Sequence, residues 1–374
     1  MSDQVLPVLL SDGHIQAEVN GALGLITLNR PEALNALTLP MVRDLTRLLT
    51  HWATLPAVQA VVLLGQRIEG RPTAFCAGGD VRFFHQAAQA QDPALQAFFD
   101  EEYALDHLIH GYTKPCIALM DGIVMGGGMG LAQGAKLRVV SERSALAMPE
   151  TRIGLFPDVG GTWFLGQLPG HMGEWLALTG QTLGAGDALE MGLADVYVPA
   201  REWDGMVHAL RTAPQPHAEH VVATVMERVD LAPEPQHLPQ LLLIDRHFSA
   251  ADLAGVLASL SAAPGSAWCQ QMLQQLRANS PLMMALSLAL VRQARQLSLG
   301  AALQMERNAM WHCFAPAAQG AHSEAMEGIR AMFIDKDRRP AWRPDAADAI
   351  RPEAVSAFFA SPWSTTAHPL AALI

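Results

Sequence analysis

The sequence predicts an α/β protein whose second half is mainly helical. Two short, continuously apolar runs, 60–65 and 116–120, are typical of strands covered on both faces, and each precedes a glycine-rich turn and a helix-forming segment. After about residue 205 the apolar residues follow helical spacing instead. We therefore predict an α/β core over residues 1–205 and a mainly helical region over 206–374 that ends in an extended, proline-rich tail.

The first elements of the core are predicted from turn and capping residues. Residues 15–28 alternate in part around an Asn20-Gly21 turn, which indicates an edge hairpin. Thr38 then stands where the N-cap of a helix is expected. The apolar face of that helix consists of Met41, Leu45, Leu48, Leu49 and Trp52.

The remaining elements follow from the same patterns. Two more buried strands are expected at 137–141 and 194–199. Residues 86–97 are compositionally loose and are interpreted as a mobile lid or a surface helix. The helices expected in the second half cover 219–231, 251–260, 267–279, 281–297 and 299–313.

Composition excludes several classes of function. The chain has 374 residues, 16% of them charged, and a net charge of −11, which argues against nucleic acid as a partner because binding phosphates needs a clustered positive surface. The four cysteines form no CxxC pair, so neither a zinc site nor a disulfide framework is expected, and Cys76 and Cys116 are interpreted as buried core residues.

The location of the protein is predicted from the absence of targeting signals. No apolar run approaches the ~18–20 residues that a membrane span requires. The N-terminal run VLPVLL is too short for a signal core, and the first arginine is Arg30, which is unlike a mitochondrial transit peptide. We expect a cytoplasmic protein, or one whose targeting segment has been removed, without a membrane partner.

Two glycine-rich turns are candidates for binding an anion. FCAGGD (75–80) and MGGGMG (125–130) each follow a strand, and successive glycines let backbone N–H groups point at a ligand. Two converging N–H donors would stabilise an oxyanion by about 3–4 kcal/mol each. Taken singly, each turn is more simply interpreted as a tight connection, with Asp80 as a helix N-cap. The dinucleotide, Walker and GxSxG patterns are absent.

Two carboxylates lie in an otherwise apolar segment, AMPETRIGLFPDVGGTWFL (147–165). Burial of an ionised carboxylate costs free energy, so Glu150 and Asp158 are expected to be either paired or functional. Pro149 and Pro157 precede them and stiffen the backbone. The structural alternatives are a helix-start carboxylate for Glu150 and, for Asp158, a cap on the helix that begins GGTWFL.

Four motifs in order resemble the crotonase (enoyl-CoA hydratase/isomerase) superfamily: NRPEALNAL (29–37), FCAGGD, MGGGMGLA (125–132) and PETRIGLFPDVGG (149–161). Within it, EEY (101–103), MPET with GLFPDVGG, and EGIRAMFIDKDRRPAW (327–342) are similar to the 3-hydroxyisobutyryl-CoA hydrolases. The resemblance implies a crotonase-like spiral of ββα units with a helical C-terminal region. It also implies a homo-oligomer, often a trimer or a dimer of trimers.

The resemblance also implies roles for individual residues. The amides of Gly79 and Gly127 would hold the thioester oxygen, while Glu150 and Asp158 would lie at the reacting carbon. Glu102 would lie near the substrate's hydroxyl end. The neighbouring residues expected to contact substrate are Gly78 and Gly126.

One position distinguishes hydrolase from hydratase within the resemblance. Enoyl-CoA hydratases use two glutamates to place water across a double bond, and the positions that match them here are Gly130 and Glu150. A hydratase would lack one carboxylate, so the pattern favours an acyl-CoA thioester hydrolase acting on 3-hydroxyisobutyryl-CoA in valine breakdown. The alternatives are a hydratase or isomerase with a rearranged acid/base set, and a non-catalytic acyl-CoA-binding protein.

The implied ligand is CoA as part of the substrate, with no other cofactor and no metal. The fourteen histidines show no ligand spacing such as HExxH, so His107 and His110 are expected at the surface. Arg330 and Lys336 are candidates for contacts with the CoA phosphates, although a solvated charged loop is the alternative. The same basic patch includes Arg338, Arg339 and Arg343.

Overall fold

The computed structural model describes residues 8–213, 217–318 and 320–374, and their mixed α/β content confirms the predicted fold class. The strands of these residues, in chain order, are β1 (Val8–Leu10), β2 (Ile15–Asn20), β3 (Leu23–Leu28), β4 (Ala60–Gly65), β5 (Ala74–Cys76), β6 (Cys116–Met120), β7 (Ile123–Met125), β8 (Leu137–Val140), β9 (Ala145–Ala147) and β10 (Val196–Tyr197).

Most of the helices follow the last strand. In chain order they are α1 (Leu39–Thr54), α2 (Val81–Ala90), α3 (Ala94–His110), α4 (Gly127–Gln133), α5 (Gly161–Gly166), α6 (Met172–Thr179), α7 (Ala185–Glu190), α8 (Ala200–Thr212), α9 (Ala218–Met226), α10 (Leu241–Phe248), α11 (Leu253–Ser261), α12 (Ala267–Leu276), α13 (Pro281–Ala294), α14 (Leu299–Ala318), α15 (Glu324–Ile329) and α16 (Pro352–Ser356).

Seven strands form one sheet in the order β1-β2-β3-β4-β6-β8-β10, and β5-β7-β9 form a second, three-stranded sheet. The predicted hairpin is β2–β3, with Asn20 paired to Leu23 across the turn. It does not form the sheet edge, because β1 pairs antiparallel with β2 on the outer side. From β3 onward the pairs in the large sheet are parallel, which explains the continuously apolar character of β4 and β6.

Helix α1 begins as predicted. The Thr38 hydroxyl accepts a hydrogen bond from the Met41 N–H, which satisfies one of the free donors at the helix start. Met41, Leu45, Leu49 and Trp52 are buried, and Leu48 lies at the margin of the same face.

By internal contacts the chain forms two compact units that alternate along the sequence. The first unit falls within Met1–Gly79, Leu105–Leu146 and Thr182–Leu238. The second consists of Asp80–Ala104, Ala147–Gln181 and Pro239–Ile374.

The first unit has its core on the large sheet. Trp203 and Met206 of α8 and Val225 of α9 belong to one buried cluster with Leu25 and Val62 of the sheet. Helix α8, which spans residue 205, and helix α9, which follows it, therefore pack with the α/β elements. These contacts do not divide the chain at residue 205, and a domain boundary there stays a prediction.

The second unit is built mainly from helices. A buried aromatic cluster includes Phe84 of α2, Phe98 and Phe99 of α3, and Phe314 of α14, with ring centroids 4.8 Å apart for Phe84 and Phe98. Trp175 of α6 donates from its indole nitrogen to the sulfur of Met272 in α12. Large apolar side chains thus supply the burial that stabilises this unit.

Several sequence expectations need correction in the described residues. The C-terminal tail is not simply extended, since it forms α16 and short 3-10 turns. Residues 86–97 are the end of α2, a short turn and the start of α3. Helix α10 was not expected. Of the run VLPVLL, the last three residues form β1 and the first three lie outside the described residues.

Within the part of the chain that the structure describes, no helix is both long and apolar enough to cross a membrane.

Candidate active site

The two glycine-rich turns pack against each other in the first unit. Strand β5 ends at Cys76 and leads into the first turn, where Gly78 has φ +96°. A Cβ at Gly78 would lie 3.1 Å from the Met125 carbonyl oxygen and 3.2 Å from the Gly127 nitrogen. The left-handed φ favours glycine, and a side chain here would also be tightly packed against the second turn.

The second turn leads directly into α4. A Cβ at Gly128 would lie 2.1 Å from the carbonyl oxygen of Cys76, which is backbone and cannot swing aside. Outside regular helices and strands, neither the Gly79 N–H nor the Gly127 N–H donates to a backbone acceptor among the described residues. Since Gly127 is the first residue of a helix, its N–H has no partner within that helix. These amides can therefore serve as donors to a ligand.

Glu150 lies in the second unit, at the start of a 3-10 turn, Glu150–Ile153. Its side chain is buried, and Oε2 has no hydrogen-bond partner within the described residues. Burial raises the pKa of Glu150 well above its usual range, and the negative charge of Asp158 raises this pKa further. A buried carboxyl with an unsatisfied oxygen is costly for stability, which is typical of functional carboxyls.

Asp158 is held by a tyrosine of the same unit. The Tyr103 hydroxyl donates to Oδ2 of Asp158 over 2.8 Å, and both side chains are buried. Burial raises the pKa of Asp158 to about 6, while the hydrogen bond from Tyr103 opposes the rise. Asp158 therefore changes charge near neutral pH, where a general base is most effective.

Glu102 is buried beside this pair. It precedes Tyr103 on α3 and is 2% exposed. Burial raises the pKa of Glu102 well above its usual range, and the charge of Asp158 adds to the effect. The second unit thus places Glu102 and Glu150 close enough to Asp158 for its charge to raise their pKa values. Their roles at a reacting carbon or a substrate hydroxyl stay predictions.

Asp80 and Asp158 are both candidate helix caps, and only one of them has that role. Asp80 caps α2 by accepting from the N–H groups of Arg82 and Phe83, as expected. Asp158 does not cap α5 with its side chain. That role belongs to Glu306, which accepts from the N–H of Thr162 and was not identified from the sequence.

The basic residues near the C-terminus are engaged with carboxylates. Arg330 donates to Glu327, Asp335 and Asp337, so its charge is largely compensated inside its own segment. Lys336 is exposed. A contact of either residue with CoA phosphates stays a prediction.

The predicted burial of the cysteines is confirmed, whereas the predicted exposure of two histidines is confirmed only in part. The four cysteines are buried and free. His107 and His110 are half-buried on α3, so they are less exposed than expected. Over the described ranges, no group of three or more His, Cys, Asp or Glu side chains is arranged to hold a metal ion.

The mixed α/β fold and the paired glycine turns agree with the crotonase-like fold that the resemblance implies. The family model for enoyl-CoA hydratase/isomerase matches residues 23–359, and the chain belongs to this family.

Individual relatives are similar over almost the whole chain. A curated protein of Xenopus tropicalis, named 3-hydroxyisobutyryl-CoA hydrolase, mitochondrial, is 36% identical over 94% of this chain and 90% of its own length. A solved structure of a carnitinyl-CoA dehydratase from Mycobacterium thermoresistibile is 34% identical, with a TM-score of 0.84 over 93% of this chain and 96% of that one. An enoyl-CoA hydratase from Rhodobacter sphaeroides 2.4.1 is 37% identical, with a TM-score of 0.82 over 93% and 98%.

Proposed function

We propose that this protein is an acyl-CoA thioester hydrolase that cleaves 3-hydroxyisobutyryl-CoA to 3-hydroxyisobutyrate and CoA, a step of valine breakdown. The observation that carries the proposal is a pair of buried carboxyls in different surroundings. Glu150 has an unsatisfied oxygen, whereas Asp158 accepts a hydrogen bond from Tyr103. Two such carboxyls can divide the work of attack and proton transfer. The name of the Xenopus tropicalis relative supports the choice of substrate.

In the proposed reaction the amides of Gly79 and Gly127 hold the thioester oxygen as negative charge develops on it. Glu150 either attacks the carbonyl carbon, giving a mixed anhydride, or takes a proton from the attacking water. Asp158 orients or activates the water. If Glu150 attacks, its oxygen forms a C–O bond as the C–S bond breaks, and water then cleaves the mixed anhydride, which releases the acid and restores Glu150. If water attacks, its oxygen forms the C–O bond while Glu150 takes its proton. In both routes the leaving thiolate accepts a proton that comes from the water.

Turnover in ¹⁸O-labelled water tests for direct attack by Glu150. Isotope recovered in the peptide that contains Glu150 would support direct attack, with water opening the anhydride at the Glu150 carboxyl. Isotope found in the acid product alone would exclude that opening and fits either water attack assisted by Glu150 or opening of the anhydride at the substrate's acyl carbon.

Hydration of an enoyl-CoA is the second candidate function. The two solved relatives named above are titled as a dehydratase and a hydratase, which favours this candidate. Against it, the resemblance places Gly130 where a hydratase carries its first glutamate. Asp158 or Glu102, both buried, would have to replace it.

Two assays of the purified protein test the proposal. In the first, the substrate is 3-hydroxyisobutyryl-CoA and a thiol-trapping dye detects released CoA. In the second, the substrate is crotonyl-CoA and its enoyl absorbance is monitored. Thiol release with an unchanged enoyl signal supports the hydrolase. Loss of enoyl absorbance without thiol release supports the hydratase. Thermal stabilisation by acyl-CoA without turnover of either substrate would leave a non-catalytic binding protein.

The rate of hydrolysis should depend on the charge of Asp158. With its pKa near 6, kcat is expected to rise as pH increases through about 6, because only the ionised carboxylate accepts a proton from water. Tyr103→Phe removes a hydrogen bond that favours the charged form, so the rise should move to higher pH. Near pH 6 we expect kcat of the variant to be about tenfold lower. A change of this size corresponds to the free energy of one hydrogen bond to a charged group.

The matched control for this prediction is Tyr112→Phe. Its buried hydroxyl donates to the carbonyl oxygen of Leu49 instead of a carboxylate. The pH profile of kcat should be unchanged in this control. An identical profile in wild type and Tyr103→Phe would contradict the role of the Tyr103 hydrogen bond.

We also propose a cytoplasmic location, catalysis with no cofactor beyond the CoA of the substrate, and assembly into a trimer or hexamer. The free, buried cysteines are compatible with a reducing compartment. The Xenopus tropicalis relative is named mitochondrial. Cell fractionation and light scattering test the location and the assembly.

A further inference from the structure

Glu306 is a third buried carboxyl near the proposed catalytic pair, and the chemistry above does not use it. It lies on α14 and is 0% exposed. Its Oε2 accepts from the Gly160 N–H over 2.8 Å, and its Oε1 accepts from the Thr162 N–H over 3.0 Å. The Thr162 hydroxyl also bonds to Oε1. All these donors belong to the segment that follows Asp158.

That segment has an unfavourable backbone conformation. Val159 has φ +54° and Gly160 has φ +80°, both in the left-handed region. A β-branched residue rarely adopts this region, so the turn persists only because its surroundings fix it. The N–H groups of Gly160 and Thr162 both donate to Glu306, whose carboxyl group therefore binds the turn through both of its oxygens.

Asp158 is therefore held from two directions. Tyr103 binds its side chain, while the backbone directly after it is fixed by Glu306. The turn is closed by the Gly161 N–H, which donates to the Asp158 carbonyl oxygen over 2.6 Å. A shift of this turn would move the Asp158 carboxylate relative to Tyr103.

We infer that Glu306 is a positioning residue of the proposed hydrolase: it holds the strained Val159–Gly160 turn and thereby fixes the carboxylate of Asp158. The inference rests on the proposed function for its kinetic consequences only. Its structural part, the hold on the turn, stands on the hydrogen bonds of the second unit.

The charge state of Glu306 gives the inference a distinct signature. Burial raises the pKa of Glu306 to about 8, and the charge of Asp158 adds to the rise. Hydrogen bonds to an ionised carboxylate are about twice as strong as neutral ones, so the turn is held more firmly above that pH. Other titratable groups surround Glu306 and Asp158. They are Glu102 and Tyr103 on α3, Glu150, and Cys313 on α14.

The test compares Glu306→Gln with two other variants. The Gln amide directs an N–H₂ group at one of the two backbone donors, so one hydrogen bond is lost. We expect kcat to fall about 10- to 100-fold and KM to stay nearly unchanged. A fall of this size in kcat corresponds to the loss of one hydrogen bond to a charged group. The wild-type profile should show a second rise of kcat near pH 8 that is absent in Glu306→Gln. Thr162→Val keeps the N–H and the carboxylate, so it should retain this rise and lose only about 2- to 5-fold in kcat.

Glu324→Gln is the matched structural control. Glu324 is also buried in the second unit, and it accepts from the Ser280 hydroxyl and the Arg343 N–H. Its replacement should lower thermal stability and leave the pH profile intact. If Glu306→Gln behaves in the same way, with the second rise retained, the inference is overturned.

A crystal structure of Glu306→Gln decides the structural part without any assay. The inference expects Val159 to leave the left-handed region or the contact between Tyr103 and Asp158 to lengthen. If both are unchanged, Glu306 does not position Asp158, whatever reaction the protein performs. If Glu306→Gln does not fold, a wild-type kcat in Thr162→Val overturns the inference. If the wild type hydrolyses no thioester, the proposed function fails and the crystal structure still tests Glu306.

Discussion

Replacing Glu150 by Gln is expected to lower kcat for 3-hydroxyisobutyryl-CoA hydrolysis by about 10²- to 10⁴-fold, the range for loss of a general acid or base. Gln has the same shape but neither attacks a thioester nor takes a proton from water. Stopped assays of thiol release measure the effect. Glu190→Gln, an exposed glutamate at the end of α7, is the control and should have wild-type activity.

The same substitution should stabilise the protein. The pKa of Glu150 is raised in the folded state above its ordinary value of 4.5, so the folded state binds this proton more tightly than the unfolded state. Below that ordinary value both states carry the proton, and variant and wild type should be equally stable. At higher pH the wild type is penalised, and the variant should gain about 1–3 kcal/mol at neutral pH. Urea unfolding at pH 4 and pH 7.5 measures this gain, and a less stable variant at pH 7.5 would contradict it.

Gly128→Ala is expected to separate the two glycine turns. The added Cβ would lie 2.1 Å from the Cys76 carbonyl oxygen, so one turn must move away from the other. Overpacking of this kind costs at least about 1–3 kcal/mol of folding free energy. If the Gly127 amide also loses its alignment, kcat should fall by a further factor of about 10²–10³, as for the loss of an oxyanion donor.

Gly205→Ala is the matched control for this prediction. Gly205 lies inside α8, and a Cβ there would meet no atom within 4 Å. Because Ala favours a helix interior over Gly, this variant should gain about 0.5–1 kcal/mol and keep full activity. Thermal unfolding and thiol-release kinetics on both variants provide the comparison. Wild-type stability in Gly128→Ala would show that the turns are not packed as closely as described.

The elements of the fold that were predicted best have a strong local signal. Strands β4 and β6 are continuously apolar. Helix α1 has an N-cap residue, Thr38, and an apolar face with helical spacing that begins at Met41. The predicted edge hairpin lacked β1, because three residues carry too little pattern to indicate a strand. Helices α8 and α9 have ordinary helical spacing, and nothing local indicates that they pack on the sheet.

The candidate site was predictable where a charge interrupts an apolar pattern. Glu150 and Asp158 are noticeable for this reason. Glu306 has the same signal, because it lies on the buried face of α14 between Leu303 and Met310. It was not identified because charged residues are common in helices, and the sequence does not show which face of α14 is buried. The bond from Tyr103 to Asp158 joins residues 55 positions apart, and such pairing depends on three-dimensional packing.

The alternation of the two units has a consequence for how the protein is made. Glu102, Asp158 and Glu306 come from three different stretches of the second unit, and the last stretch begins only at Pro239. A chain still on the ribosome lacks Glu306 and its hold on the turn until most of the protein has been synthesised. The unfavourable burial of several acidic groups is therefore postponed to the end of folding, when the distant contacts that compensate for it become available.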